Sequence, residues 1–120
     1  MDLKVYKSKK DKFYKDLFIA KKEKDIANII LQSIKFAQQA YEEGIISRDE
    51  FAYDLVGFGL ELMSVSKKMS EDYDRLIFDY ASDLEVQTNA KFLTDEIASE
   101  YEKKTLEGIK TFIKKYEPLC

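Results

Sequence analysis

The sequence predicts an all-α protein, an antiparallel bundle of four to five helices. Three observations predict it. The 120 residues include one proline and four glycines, so the punctuation that sandwiches and barrels require is missing. Apolar residues recur at helical spacing along most of the chain. The joints between those runs are short, which places consecutive helices side by side and antiparallel. A hydrophobic share of 45% and a charged share of 36% suit one core that needs no staples, hence a single domain over residues 1–120. The segments do not resemble one another, so a solenoid is not expected.

Phe13, Tyr14, Leu17 and Phe18 are spaced for a short amphipathic helix over about 10–22. The lysine-rich residues 1–9 before it read as a flexible basic arm. A second helix is predicted from about Lys24 to Glu43. Ile26, Ile29, Ile30, Ile34, Ala37 and Tyr41 share one face, with Asn28, Gln32, Lys35, Gln39 and Glu42 opposite. Gly44 then supplies the left-handed residue that ends a helix. Ser47-Arg48-Asp49-Glu50 is a capping box, in which the Ser47 hydroxyl accepts from a free backbone N–H and Glu50 reaches back. It opens a third helix over about Arg48–Ser66.

That third helix carries two apolar stripes, Phe51, Leu55, Phe58, Leu62 and Val65, then Tyr53, Val56, Leu60 and Met63. A helix apolar nearly all round is expected inside the fold. Gly57 and Gly59 each cost roughly 1 kcal/mol of helix propensity, which close approach of a neighbouring helix would offset. Asp54 and Glu61 form a narrow acidic strip that either pairs with a lysine or edges a groove.

Ser70 caps a fourth helix of about Glu71–Glu85, with Tyr73, Leu76, Ile77, Tyr80, Ala81 and Leu84 as its apolar face. Val86–Phe92 reads as a loop. Thr94 caps a fifth helix, with Asp95 and Glu96 at its positive end and Lys110, Lys114 and Lys115 toward its negative end. Tyr101, Thr105, Ile109, Phe112, Ile113 and Tyr116 point to one side, and Pro118 marks the stop.

Charge is distributed unevenly. Residues 1–24 hold nine lysines and four acids, 25–102 six basic and seventeen acidic residues, and 103–120 five lysines and two acids. The balances are +5, −11 and +3, which make up the net −3. Such a field favours a cationic partner and repels nucleic acid from the central surface. Direct nucleic-acid binding would fall to Tyr6, Phe13, Tyr14 and Lys7, Lys9, Lys10, Lys12 and Lys15, with no arginine among them for base readout. A solvated basic segment is the preferred reading.

Several chemistries are excluded. There is no histidine, so no Ser–His or Cys–His nucleophile and no HExxH zinc site. Cys120 is the single cysteine and makes neither an internal disulfide nor a structural zinc site. Gly57-Phe58-Gly59 lies in a helical pattern and not between a strand and a helix, so it is no phosphate loop. Glu71 and Asp74 have the Glu-x-x-Asp spacing that a magnesium-dependent nucleotide hydrolase uses, and Glu96 and Glu100 are four apart. In a chain with 23 acids a solvated acidic face explains them better. No catalytic residue, metal or cofactor is expected. No apolar run reaches the ~18 residues of a membrane span, and residues 1–13 lack the apolar stretch of a secretory signal. The cytoplasm is the expected compartment.

The fourth helix carries the strongest functional signal. At 100° per residue its outward face holds Glu71, Asp74, Arg75, Asp79, Ser82 and Glu85, with Phe78 in their midst. Asp72 and Asp83 flank it. An aromatic anchor among charges that steer a basic partner is the makeup of a binding hot spot. The competing reading is that another element covers Phe78. Glu42 and Glu43, at the turn between the second and third helices, are also free to serve a partner, whereas Asp49 and Glu50 have local work at a helix start. The expected partner-binding set is therefore Glu42, Glu43, Glu71, Asp72, Asp74, Phe78, Asp79, Asp83 and Glu85.

The run Tyr41-Glu42-Glu43-Gly44-Ile45-Ile46-Ser47-Arg48-Asp49-Glu50-Phe51 resembles the first turn region of small helical bacterial immunity proteins. These include the colicin D immunity type and contact-dependent-inhibition immunity proteins. They share an aromatic, a short acidic link, Gly-x-Ile-Ser and then Glu-Phe entering a helix. The resemblance spans about a tenth of the chain. It implies a protein that occupies the basic active site of a toxin nuclease, often a tRNase, and mimics the phosphates of its substrate. The acidic face named above comes from charge and helical phase, not from the resemblance.

The leading expectation is thus an immunity or inhibitor protein that neutralises a cognate basic toxin or another cationic protein. The alternatives are a bacteriocin immunity protein acting at a membrane receptor, and a phage or mobile-element inhibitor of a host nucleic-acid enzyme. In the membrane alternative the basic ends would face anionic lipid. The second apolar stripe of the third helix leaves a homodimer open.

Overall fold

The computed structural model describes residues 1–65, 71–80, 84 and 95–119, of which residues 71–74, 77, 95–98, 101 and 119 are described by backbone alone. These form five α-helices and a closing 3-10 turn, with no strand among the described residues: α1 (Leu3–Ile19), α2 (Glu23–Glu42), α3 (Arg48–Val65), α4 (Glu71–Tyr80), α5 (Asp95–Tyr116) and the turn Glu117–Leu119. The chain is an all-α bundle, as its periodicity predicts.

The helix α1 starts much earlier than residue 10. Asp2 caps it, its carboxylate accepting from the Val5 N–H at 2.8 Å. Residues 3–9 are therefore helical and not an arm. The reason is tertiary as well as local: Tyr6, in the first turn, is 1% exposed and stacks on Phe36 of α2 with ring centroids 5.4 Å apart. Apolar spacing alone understated α1, because its first inward positions are a tyrosine and lysines. Leu17 completes the buried edge, with Phe13 and Tyr14 half-buried between.

The helix α2 is central and packs against α1, α3, α4, α5 and the closing turn. Its buried face is wider than the predicted stripe, adding Ala27, Leu31, Ser33 and Ala40 to Ile26, Ile30, Ile34 and Ala37. Gly44 ends it at φ +74, with the Gly44 N–H bonded to the Tyr41 carbonyl at 3.0 Å and the Ile45 N–H to Ala40 at 2.9 Å. These are the two bonds of a left-handed helix stop. The Ser47 hydroxyl then accepts from the Glu50 N–H at 3.1 Å and donates to the Glu50 carboxylate at 3.3 Å. The cap forms as predicted on its Ser47 side. The Glu50 side chain, however, bonds the hydroxyl that caps the helix.

Phe51, Leu55, Phe58 and Leu62 of α3 are buried, but Tyr53 is 67% exposed and Leu60 55%. The expectation that α3 lies inside the fold is thus overturned. One stripe meets α2, the Asp54–Gly57–Glu61 flank meets α1, and the second stripe faces outward. The close approach at Gly57 is real: a Cβ there would overlap the Tyr14 hydroxyl. Leu76 and Tyr80 of α4, Leu84, and Ile109, Phe112 and Tyr116 of α5 close the core from the other side. Tyr80 meets Phe112 edge-on at 5.8 Å and donates its hydroxyl to the Leu55 carbonyl.

Candidate functional site

Phe78 is placed by the phase of α4. Leu76 and Tyr80, two residues to either side of it, are 0% and 1% exposed, and Phe78 between them is 71% exposed. Side chains two apart on a helix diverge by about 200°, so burying one pair drives Phe78 outward. Arg75, one turn earlier, is exposed too. No described element covers the ring, which answers the competing reading for the described part of the fold.

Asp79 has a different position from the one its helical phase suggests. Its side chain is 16% exposed and accepts from Lys115 Nζ of α5 at 2.5 Å and from the Tyr116 hydroxyl. Partial burial pushes its carboxyl up. The two hydrogen bonds and the charges of Lys115 and Arg75 outweigh that and hold it below the ordinary carboxylate range. This carboxylate is a tie between α4 and α5, and Lys115 offsets its charge. Around Phe78 the described charges are therefore mixed: Arg75, Lys115 and a compensated Asp79.

Glu71, Asp72 and Asp74 lie in the first turn and a half of α4, described by backbone alone. Asp83 and Glu85 lie outside the described residues, as do the predicted caps Ser70 and Thr94 and the predicted loop Val86–Phe92. Glu42 and Glu43 are exposed at the end of α2, with Glu42 accepting from Gln38 Nε2 at 3.1 Å. The structure does not bring these two together with Phe78. Tyr41 of α2 bonds Glu102 of α5, whereas Asp79 bonds Lys115. Those contacts lie thirteen residues apart on one helix, about 20 Å along its axis. Glu42 and Glu43, predicted at their own turn, thus lie apart from Phe78 and Asp79.

A polar cluster sits where the sequence offered only an alternative. Asp54 is 4% exposed and accepts from the Tyr6 hydroxyl at 2.5 Å and from Lys10 Nζ at 3.0 Å. Burial, the hydrogen bond to Asp54 and its negative charge together push the Tyr6 hydroxyl far above the ordinary tyrosine range. Tyr14, on the same seam, is pushed up to about 12, by burial first and then by the charges of Asp54 and Glu61. The strip Asp54 and Glu61 is thus the docking seam for α1, with Asp54 paired to a lysine as one alternative foresaw. Tyr6 as its main hydrogen-bond donor carried no signal in the sequence, since its helix was not predicted to reach that far.

Among the described residues no three acidic or cysteine side chains converge as a metal site. An open cleft of about 500 Å³ lies at the α1–α2 corner, lined by residues that include Ile19, Ala20, Lys21, Lys22 and Ile29. No protein-family pattern, curated protein or solved structure matches the chain.

Proposed function

We propose that this protein is a binding protein and not an enzyme: a cytoplasmic immunity or inhibitor protein that neutralises a basic protein, a toxin nuclease being the best fit. The observation that carries the proposal is Phe78. A phenylalanine 71% exposed on a helix whose ten residues hold four acids and one arginine has a cost in water and no role in the core. Such an aromatic seated in a partner's pocket, with carboxylates around it, is how a small interface gains affinity. The acidic stretch 25–102 would draw the cationic partner in. The immunity-protein resemblance at Tyr41–Phe51 points the same way.

Glu71, Asp72 and Asp74 are the steering charges of this proposal. Asp79 orders α4 beneath them, and Glu42 and Glu43 serve a second contact only if the partner is large enough to span both places. The test is capture of partners by the tagged protein at low salt, followed by kinetics with the partner obtained. A stoichiometric basic protein, lost when Phe78→Ala is the bait, is the expected result. The expected kinetics are a faster off-rate for Phe78→Ala and a slower on-rate for Asp72→Lys/Asp74→Lys. A partner that binds Phe78→Ala and the charge-reversed protein as tightly as the parent would remove this face from consideration.

A further inference from the structure

The end of α1 carries two large apolar side chains with no part in the core. Phe18 is 76% exposed, more than any other large hydrophobic among the described residues, and Ile19 beside it is 68% exposed. Neither belongs to the hydrophobic core cluster. They occupy the last turn of α1, at the corner where the chain passes through Ala20–Lys22 into α2. Lys12, Lys15, Lys21, Lys22 and Lys24 are exposed around them, and Lys4 and Lys7 continue the basic surface back along α1. Lys9 and Lys10 are engaged inward, over Phe36 and with Asp54.

The charge of the molecule is polarised in the same sense. Residues 1–24 carry +5 within a chain of net −3, which leaves −8 for the remainder. The acids of this corner, Asp16, Glu23 and Asp25, do not cancel its lysines. A field of this shape presents α1 and its corner to an anionic surface and turns the acidic body away.

We propose that this corner docks on an anionic lipid bilayer, with Phe18 and Ile19 entering the interfacial region and the surrounding lysines meeting headgroup phosphates and carboxylates. Two apolar residues at a convex corner fall far short of the roughly 20–30 residues a side that a stable protein interface buries. They are enough for a peripheral contact in which lysines share the attraction. Lysine, a flexible point charge, suits mobile headgroups, whereas arginine, absent from α1 and the corner, is the residue that reads fixed phosphates and bases. No helix among the described residues is long and apolar enough to cross a membrane, so the contact is made at the surface. It uses α1, whereas the proposed partner face uses α4, and either can fail without the other.

The chain has no tryptophan, so Phe18→Trp places a single fluorescent reporter at the corner. With vesicles of equal parts phosphatidylcholine and phosphatidylserine at low salt, co-flotation and a blue shift of the indole emission are expected. Pure phosphatidylcholine vesicles should give neither. Phe18→Ser/Ile19→Ser should weaken flotation about tenfold, given the apolar area withdrawn. Lys12→Glu/Lys15→Glu should abolish it, and both variants should keep the parent's far-ultraviolet dichroism. No flotation on the anionic vesicles, flotation without an emission shift, or binding to an oligonucleotide with none to vesicles would each overturn the proposal.

Discussion

Asp54 is held by two donors from α1, the Tyr6 hydroxyl and Lys10, and is nearly sealed from water. Removing the carboxylate would strand a buried hydroxyl and leave a partly buried ammonium without its counter-ion. Asp54→Ala should therefore cost about 3 kcal/mol, near the lower limit for breaking a buried pair because Lys10 keeps some access to water. Tyr6→Phe, which leaves the lysine bond in place, should cost about 1 kcal/mol. Denaturant unfolding of both variants and the double variant would measure their coupling. Gly57 offers a sharper check of the same seam. Alanine gains about 1 kcal/mol in helix propensity over glycine, but its Cβ would strike the Tyr14 hydroxyl, while the ring carbon behind stays 3.6 Å away. Gly57→Ala should be near neutral in the parent and stabilising by about 1 kcal/mol in a Tyr14→Phe background. A stabilisation of equal size in both would mean that α1 does not approach α3 there.

Four helices are tied to their neighbours by tyrosine hydroxyls, those of Tyr6, Tyr41, Tyr80 and Tyr116, and the raised ones give the fold an alkaline limit. Tyr14 and Tyr41 are both pushed up to about 12, Tyr41 by burial and by its bond to Glu102. Tyr6 is raised further still. A group that holds its proton more tightly when folded contributes stability that is whole below its unfolded pKa, about 10 for tyrosine. That stability is lost as pH rises past 10 toward 12. The urea midpoint should be flat through neutral pH and fall above about pH 10, and Tyr41→Phe should make the fall shallower. On the acid side the sign reverses. The Asp79 carboxyl is depressed by its ties to α5, so its contribution is present above the ordinary value of 3.8 and lost as pH falls below it. Asp79→Asn should cost about 1–2 kcal/mol at neutral pH, since Lys115 is half in water, and flatten the acid limb of the urea-midpoint profile. The helices themselves were largely legible: the Gly44 stop and the Ser47 cap depend on bonds between near neighbours in the chain. The start of α1 was not, because tyrosine and lysine at its inward positions do not register as an apolar stripe.

The molecule as a whole has a basic α1, an acidic middle and a basic end to α5. Its radius of gyration, 13.8 Å, is that expected for one compact domain of this length. The two proposed functions use two different faces. Phe78→Ala should leave vesicle flotation unchanged, and Phe18→Ser/Ile19→Ser should leave partner capture unchanged. Loss of both activities in either variant would point to one shared surface or to a damaged fold, which the unfolding midpoint would reveal. Both activities should weaken as salt rises, because exposed charges more than about 8–10 Å apart are screened at physiological ionic strength.

By itself the sequence determined the helical class, the position of the Gly44–Ser47 joint, the centre of the buried face of α2, the described part of that of α5 and the direction in which Phe78 leaves its helix. Each follows from contacts within a few residues or from the 3.6-residue period, which any helix must obey. The exposure of Phe78 was a tertiary outcome. Only the tertiary structure decided which of two apolar stripes α3 buries, that Asp54 is a docking point for Tyr6 and Lys10, and that Asp79 ties α4 to Lys115 and Tyr116. It also separated Glu42 and Glu43 from Phe78 along the length of α5. Helical phase states the direction in which a side chain leaves its own axis. It does not state which other helix lies in that direction, and the partner found there settles whether a charge steers a ligand or holds the fold together.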